Sequence, residues 1–354
     1  GPYRLGFDDY WAGYNFNHNS YDSYYFEETA TPIPYNGYEA DIQTNLAIDY
    51  IRQAAKNSAP FAMFLSWGPP HDPWGLDNTP DEYWKMFEGV DIHPNPNFSS
   101  QPDPYSDDWA KITPDYLNGL QNSMRGYYAQ TTNIDWNLGR VMDCLEQVGL
   151  AENTILVFTS DHGYHLGEHG HWQKRTLFNN ATRVPLILAG PDINKNEKIM
   201  DAPVELVDIY PTLMDMLGMD TPRFVSGKSF APLLKDSNAR VRKSALTELG
   251  VNTGGKSKVQ GYSIKTDRYR LTQWGEDGIS GYELYDHKFD KEELHNLSNN
   301  NEYKRVKDSL IKVMKRRVLE VRTEPIGIGR QFENAKEWFE PKTIHSQPKK
   351  VDQT

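Results

Sequence analysis

Three short apolar runs alternate with segments of helical period, and that alternation limits what this chain can fold into. Pro60-Phe-Ala-Met-Phe-Leu-Ser66, Thr154-Ile-Leu-Val-Phe-Thr-Ser160 and Val184-Pro-Leu-Ile-Leu-Ala189 are continuous rather than alternating, and each reads as a strand buried on both faces. Between Tyr38 and Lys56 the apolar positions Ile42, Leu46, Ile48, Ile51 and Ala55 fit one face of a helix. From Leu117 to Val148 apolar residues recur every three or four positions. That spacing predicts a long amphipathic helix ending at Gly149, with Gly126 and Gly139 as candidate kinks. Val204–Gly218 reads as a further helix that Pro211 kinks or splits. Helix, buried strand, helix, buried strand is the pattern of an α/β fold with a mostly parallel sheet flanked by helices.

After about Phe230 the pattern changes. Tyr262–Thr266, Arg268–Thr272 and Tyr282–Tyr285 alternate between turn residues and predict a small antiparallel sheet; Val306, Leu310, Val313, Met314 and Arg317 set an amphipathic helix beside it. The expected organisation is an α/β domain over 1–229, an α+β subdomain over 230–325 and an irregular tail over 326–354. The first 38 residues read as loops with short strands. The stretch from Trp67 to Pro114, dense in Pro, Asp, Asn and Trp, is a long connection of the kind that is usually functional.

The 354 residues carry a net charge of -11, which disfavours non-specific nucleic-acid binding. The charge is uneven: from Asn301 onward 13 Lys and Arg face 8 Asp and Glu. No apolar run approaches the length of a membrane span. The single cysteine, Cys144, excludes an intrachain disulfide and a cysteine-based zinc cluster, and it falls beside the apolar stripe of the long helix as a small core residue.

In open α/β sheets ligands sit beyond the carboxyl ends of strands, and both polar constellations of the chain fall there. After the first run comes Trp67-Gly-Pro-Pro-His71-Asp72-Pro73, a histidine held on a proline-stiffened loop. After the second comes Ser160-Asp-His-Gly-Tyr-His-Leu-Gly-Glu-His-Gly-His-Trp-Gln-Lys-Arg175, with four histidines, two acids and two bases in sixteen residues. An Asp leaving a buried strand is a natural metal ligand, because the sheet fixes its carboxylate. The histidine density also admits zinc, although no His-Glu-x-x-His helix is present and the glycines at 163, 167 and 170 oppose a helix here.

These residues carry a family resemblance. Asp161-His162-Gly163, Lys174 and Thr182-Arg-Val-Pro185 are similar to the type I sulfatases of the alkaline phosphatase superfamily, and the run from Ser160 to Lys174 looks most like the iduronate sulfatase branch. His71 in Pro-His-x-Pro, the helix segment Tyr127–Asp135, Val207-Asp-Ile-Tyr-Pro-Thr-Leu-Met214, Gly261–Arg270 and Glu283-Leu-Tyr-Asp286 match as well. The resemblance implies an alkaline-phosphatase-like sheet lacking its N-terminal strands. It implies that Asp161 and His162 are ligands of one calcium ion, although nitrogen is an unusual ligand for so hard a cation. It further implies that His71 and Lys174 contact the sulfate group. His165, His169 and Arg175 are candidate substrate contacts, with Glu168 and His171 beside them.

The family's nucleophile is a formylglycine made from Cys or Ser in Cys/Ser-x-Pro-x-Arg. No such motif occurs here: Cys144 is followed by Leu-Glu-Gln, and no serine stands in that context. Asp8-Asp9 are not the family's first metal pair, because Gly-Phe-Asp-Asp-Tyr-Trp resembles a stretch downstream of the nucleophile. The expectation is a sulfatase acting on sulfated carbohydrates, outside the cytoplasm, whose N-terminal portion is missing and whose chain alone is inactive. The alternatives are a phosphodiesterase or phosphonate hydrolase of the same superfamily and a non-catalytic sulfatase-like protein that binds sulfated sugars.

Overall fold

The computed structural model describes residues 4, 6–14, 18–105, 107–191, 193, 199–252 and 259–323; the tail assigned to 326–354 lies outside the described residues. The chain forms two compact units, Gly1–Lys174 with Arg183–Asp192, and Arg175–Thr182 with Ile193–Thr354.

In the first unit a two-residue pair of strands, β1 (Tyr24–Tyr25) and β2 (Ile33–Pro34), precedes helix α1 (Glu39–Ala54). A short helix α2 (Asp81–Met86) and the long helix α3 (Pro114–Gln147) follow. Thr113 caps α3, accepting from the Tyr116 amide, and Pro114 opens it. The helix is continuous through both candidate kink points. α1 packs on α3 around Ile48, Ile51, Val141, Cys144 and Leu145, so Cys144 is a core residue as expected. The same two helices share a polar seam, in which Asn133 and Asn137, both fully buried, donate to Asp41 Oδ1 at 3.0 and 2.8 Å.

Strands β3 (Leu156–Thr159) and β6 (Leu186–Ala189) come from the second and third apolar runs and pair antiparallel. Between them lies a small hairpin, β4 (His165–Leu166) and β5 (Trp172–Gln173). Every ladder among the described residues is antiparallel. The first apolar run differs from the expectation: 60–66 forms no ladder among the described residues. Side chains hold it instead, with Met63, Leu65 and Trp67 packed on the α1–α3 core and the alternate Phe64 79% exposed.

The second unit contains the single-turn helix α4 (Asn179–Thr182), α5 (Ile209–Met216), α6 (Ala231–Lys235) and a four-stranded antiparallel sheet backed by α7 (Lys304–Arg322). The sheet runs β10-β9-β8-β7, where β7 is Ala245–Val251, β8 Val259–Lys265, β9 Tyr269–Trp274 and β10 Gly281–Asp286. Its core is Tyr262, Ile264, Leu271 and Leu284 against Leu310 and Met314 of α7, the sheet and helix expected from the sequence. Pro211 sits in the first turn of α5, after a 3₁₀ turn at Leu206–Asp208, and so splits that segment.

Several quoted motifs prove to be structural anchors of this unit. Asp208 of Val-Asp-Ile-Tyr-Pro-Thr is fully buried and accepts from the Glu205 and Lys228 amides at 2.9 and 2.7 Å and from Arg242 Nε at 2.9 Å. Arg270 is buried against Glu293 at 2.6 Å and donates to Leu177 O and Asn179 Oδ1. Burial alone would push the Glu293 carboxyl up; Arg270, His287 and the Asn179 amide reverse this and lower it to about 2.

Candidate active site

Three stretches carrying candidate residues meet on one aromatic cluster in the first unit. Trp74, three residues after His71, packs edge-on against Tyr164 at 5.5 Å and Trp172 at 5.7 Å. Tyr164 stands two positions after His162, and Trp172 two before Lys174. Tyr127 of α3 lies against Trp74 and Tyr164 at 5.9 and 5.3 Å, and Tyr116 stacks on Trp172 at 4.8 Å. The cluster also takes in Met124 and Leu166. Aromatic rings bury much apolar area with few rotamers, so this knot fixes the backbone from which all three stretches leave. Trp74 is therefore core rather than a sugar-stacking face.

His71 is half-buried. Its Nδ1 lies 3.0 Å from the Asp72 carbonyl and 3.1 Å from Asp72 Oδ1, which assigns the Nδ1–H donor there and leaves Nε2 as the edge for a ligand. The peptide bonds Pro69-Pro70 and Asp72-Pro73 on either side are cis. One face of the His71 ring is covered by the His18 ring, centroids 4.5 Å apart and planes 7° from parallel. His18 sits in a stretch of Asn, Tyr and Asp with no motif, so no pattern of residues singles it out.

Asp161 and His162 follow β3 directly. The Asp161 carboxylate is 84% exposed, and Oδ1 accepts the His162 amide at 3.0 Å. His162 Nδ1 lies 2.9 Å from the Gly163 carbonyl, so the proton is assigned to Nδ1 and the Nε2 lone pair faces outward. His162 Nε2 and Asp161 Oδ2 stand 3.5 Å apart. Two ligands at right angles on one cation, each about 2.4 Å from it, would be separated by about 3.4 Å. The pair thus fits two positions of a metal shell. No third acid, His or Cys completes a group of three among the described residues, so these two do not make a site by themselves.

The histidines farther along the loop do other work. His165 is completely buried, with Nδ1 3.1 Å from the Glu168 carbonyl; burial, then the nearby His171 and His169, holds its pKa well below 6.5. His171 is lowered to about 3, by burial and then by His169. Glu168 Oε1 accepts from Asn95 at 2.6 Å and Oε2 from the Leu166 amide at 2.5 Å. His169 is half-buried, its Nε2 3.1 Å from Asn97 Nδ2.

The long connection between Trp67 and Pro114 wraps this loop. Bridges pair Phe98 with Glu168 and Lys111 with His171, and the His169 amide donates to Asn97 O at 2.7 Å. Of the candidate substrate contacts, His165 is thus enclosed and fixes the loop. Arg175 belongs to the second unit, where Nη2 donates to Gly250 O at 3.0 Å. Lys174 is half-buried and follows Gln173, a non-glycine residue at φ 68°. Such a conformation is costly for an ordinary side chain, and it redirects the chain just before the lysine.

The sulfatase family profile matches residues 1–219, more than half of the chain. The chain belongs to the sulfatase family. A profile for the C-terminal region of N-sulphoglucosamine sulphohydrolase matches 167–322 of this sulfatase chain. It is similar to a sulfatase of Formosa agariphila, 34% identical over 69% of this chain and 47% of the relative. It is also similar to the N-acetylglucosamine-6-O-sulfatase of Bacteroides thetaiotaomicron, 28% identical over 86% of this chain and 66% of that protein. The chain thus spans between about half and two thirds of the length of these curated relatives. A structure solved with its substrate D-glucosamine-2-N,6-O-disulfate superposes with a TM-score of 0.75 at 24% identity, covering 90% of this chain and 78% of that one. The fold of the sulfatase chain is therefore the alkaline-phosphatase-like α/β fold of its neighbours, with the small C-terminal antiparallel sheet and helix. No helix among the described residues is long and apolar enough to cross a membrane.

Proposed function

We propose that this chain supplies the proton-donor and metal-ligand part of an active site that hydrolyses sulfate esters of carbohydrates. The observation that carries the reading is the Trp74–Tyr164–Trp172 knot, from which the stretches bearing His71, Asp161–His162 and Lys174 all depart. The sugar sulfates named for the relatives support the substrate class.

Breaking an S–O ester bond leaves negative charge on the sugar oxygen. His71 in its imidazolium form, with Nδ1–H held by Asp72, can protonate that oxygen from Nε2, and the Lys174 ammonium can hold the sulfate oxygens electrostatically. Asp161 and His162 would hold one edge of a calcium ion, which when bound neutralises the sulfate oxygens. No Cys/Ser-x-Pro-x-Arg occurs in these 354 residues, so the formylglycine nucleophile would come from polypeptide other than these residues. The chain alone is then a binder without turnover. The enzyme it contributes to is assigned to an extracytoplasmic compartment, in keeping with a relative named as an extracellular sulfatase.

The test is calorimetric titration of the chain with glucosamine 6-sulfate, alongside an assay with a chromogenic aryl sulfate. Binding that weakens about tenfold in both His71→Ala and Lys174→Ala, without aryl sulfate turnover, is the expected result. Turnover by the chain, or equal binding by all three proteins, would reject the reading.

A further inference from the structure

We infer that His18 is a positioning residue for His71, setting the orientation in which the His71 ring meets a sulfate. This rests on the reading of His71 as the proton donor. The two rings are 53 positions apart in sequence, yet stack 4.5 Å apart and 7° from parallel. With Nδ1 committed to Asp72 and one face covered by His18, the His71 ring can neither flip nor tilt without losing a contact. What remains for a ligand is Nε2 and the opposite face.

The stack is not left to chance, because a buried amide joins the two loops that bear it. Asn78 Oδ1 accepts the Ser20 amide at 2.8 Å, and Nδ2 donates to Ser20 Oγ at 3.1 Å and to Pro73 O at 2.9 Å, with His18 O farther away at 3.4 Å. Gln130, fully buried on α3, donates to the same Pro73 carbonyl at 3.0 Å and to Asn78 O at 3.2 Å. Ser20 is two residues after His18 and Pro73 two after His71, so the clasp holds both loops from the core side. What His18 presents to His71 is the face of its ring. The contact is face to face, and any planar aromatic ring of similar size can make it.

The experiment is NMR of the histidine-labelled chain, wild type against His18→Ala and His18→Phe, without ligand and then titrated with inorganic sulfate. Ring current from a stacked neighbour shifts the His71 Hε1 signal upfield. That shift is expected in the wild type and in H18F and is expected to be lost in H18A. His93, whose side chain is 84% exposed, serves as the unmoved reference. Sulfate affinity is expected to fall about tenfold in H18A and to stay within about twofold in H18F, since misorientation of a positioned group is what costs. Identical His71 signals in wild type and H18A would overturn the inference. So would an H18F that binds sulfate as weakly as H18A, because the nitrogen of His18 would then be the contact. If sulfate moves no His71 signal in the wild type, the proposed function fails, while the ligand-free spectra still decide the role of His18.

Discussion

Gly126 and Trp74 touch backbone to backbone: a Cβ built on the glycine would lie 2.1 Å from the Trp74 carbonyl oxygen. This is where α3 meets the loop that carries His71, so the absence of a side chain at 126 sets how deeply Trp74 can seat in its aromatic cluster. The obstacle is main chain rather than a flexible side-chain end, so Gly126→Ala must push the loop outward. Overpacking of this kind costs about 1–3 kcal/mol. The helix-propensity gain of alanine, about 1 kcal/mol, does not offset its upper range. Thermal melts of G126A should show net destabilisation, and sulfate binding should weaken through the displaced His71. An unchanged or raised melting temperature would mean that the contact is softer than the geometry requires.

Asp161 and His162 present two donor atoms 3.5 Å apart and no third acid, histidine or cysteine with them among the described residues. Calcium affinity comes from six to eight oxygens acting together. The chain is therefore expected to bind calcium with a dissociation constant of about a millimolar or weaker. At 10 mM calcium, stabilisation should then not exceed about 1.5 kcal/mol. Asp161→Asn should remove even that. Micromolar calcium binding by the purified chain, read by calorimetry, would show that further ligands are in place.

What the sequence disclosed and what it hid divide along physical lines. Periodicity is local, so α1, α3 and α7 and strands β3, β6, β8, β9 and β10 were legible from spacing alone. β7 was not, because Ala245-Leu-Thr-Glu-Leu-Gly-Val251 mixes a charge and a glycine into its run. Burial of a loop is not local. His165 and His171 read as pocket residues because they crowd a polar motif, yet the 95–112 stretch closes over them and makes them neutral core. His18, Asn78 and Gln130 had no signature, since an amide or imidazole acquires its role only from the partner that the tertiary structure delivers. Gly126 was visible only as a candidate kink, whereas its function is close approach.

Arg242 should be worth far more than an average surface charge. It is 3% exposed at its side chain, lies 2.9 Å from Glu205 Oε2 and pairs bidentately with the fully buried Asp208. Arg242→Met keeps the volume and removes the charge, leaving Asp208 without its buried cation. Breaking one partner of such a pair costs about 3–5 kcal/mol. Lys85→Ala, which opens the solvent-exposed pair with Asp81, is the control and should leave the denaturant midpoint almost unchanged. Denaturant midpoints of the two variants measure the contrast. A small effect of R242M would mean that Asp208 takes up a proton or a water instead.

Acid should weaken the chain before it reaches the range of ordinary carboxylates. His165 and His171 are buried in neutral form, His165 held well below 6.5 and His171 at about 3, burial being the first cause for both. In the unfolded chain each titrates near 6.5, so below that pH the unfolded state binds more protons than the folded state. Stability from these groups is fully present above about pH 6.5 and falls by about 1.4 kcal/mol per pH unit for each histidine as pH drops. For His171 the decline runs until pH reaches its folded value of about 3. Glu293 acts in the same direction lower down: its folded value of about 2 lies under the usual 4.5, so its contribution is lost between those values. Between pH 7.5 and 5.5 the two histidines together should remove about 3 kcal/mol, measured by urea unfolding. His171→Gln removes one of the two titrating groups and should roughly halve the slope in that interval. A wild-type slope that is flat from pH 7.5 to 5.5 would mean that His165 and His171 are protonated, or exposed, in the folded chain.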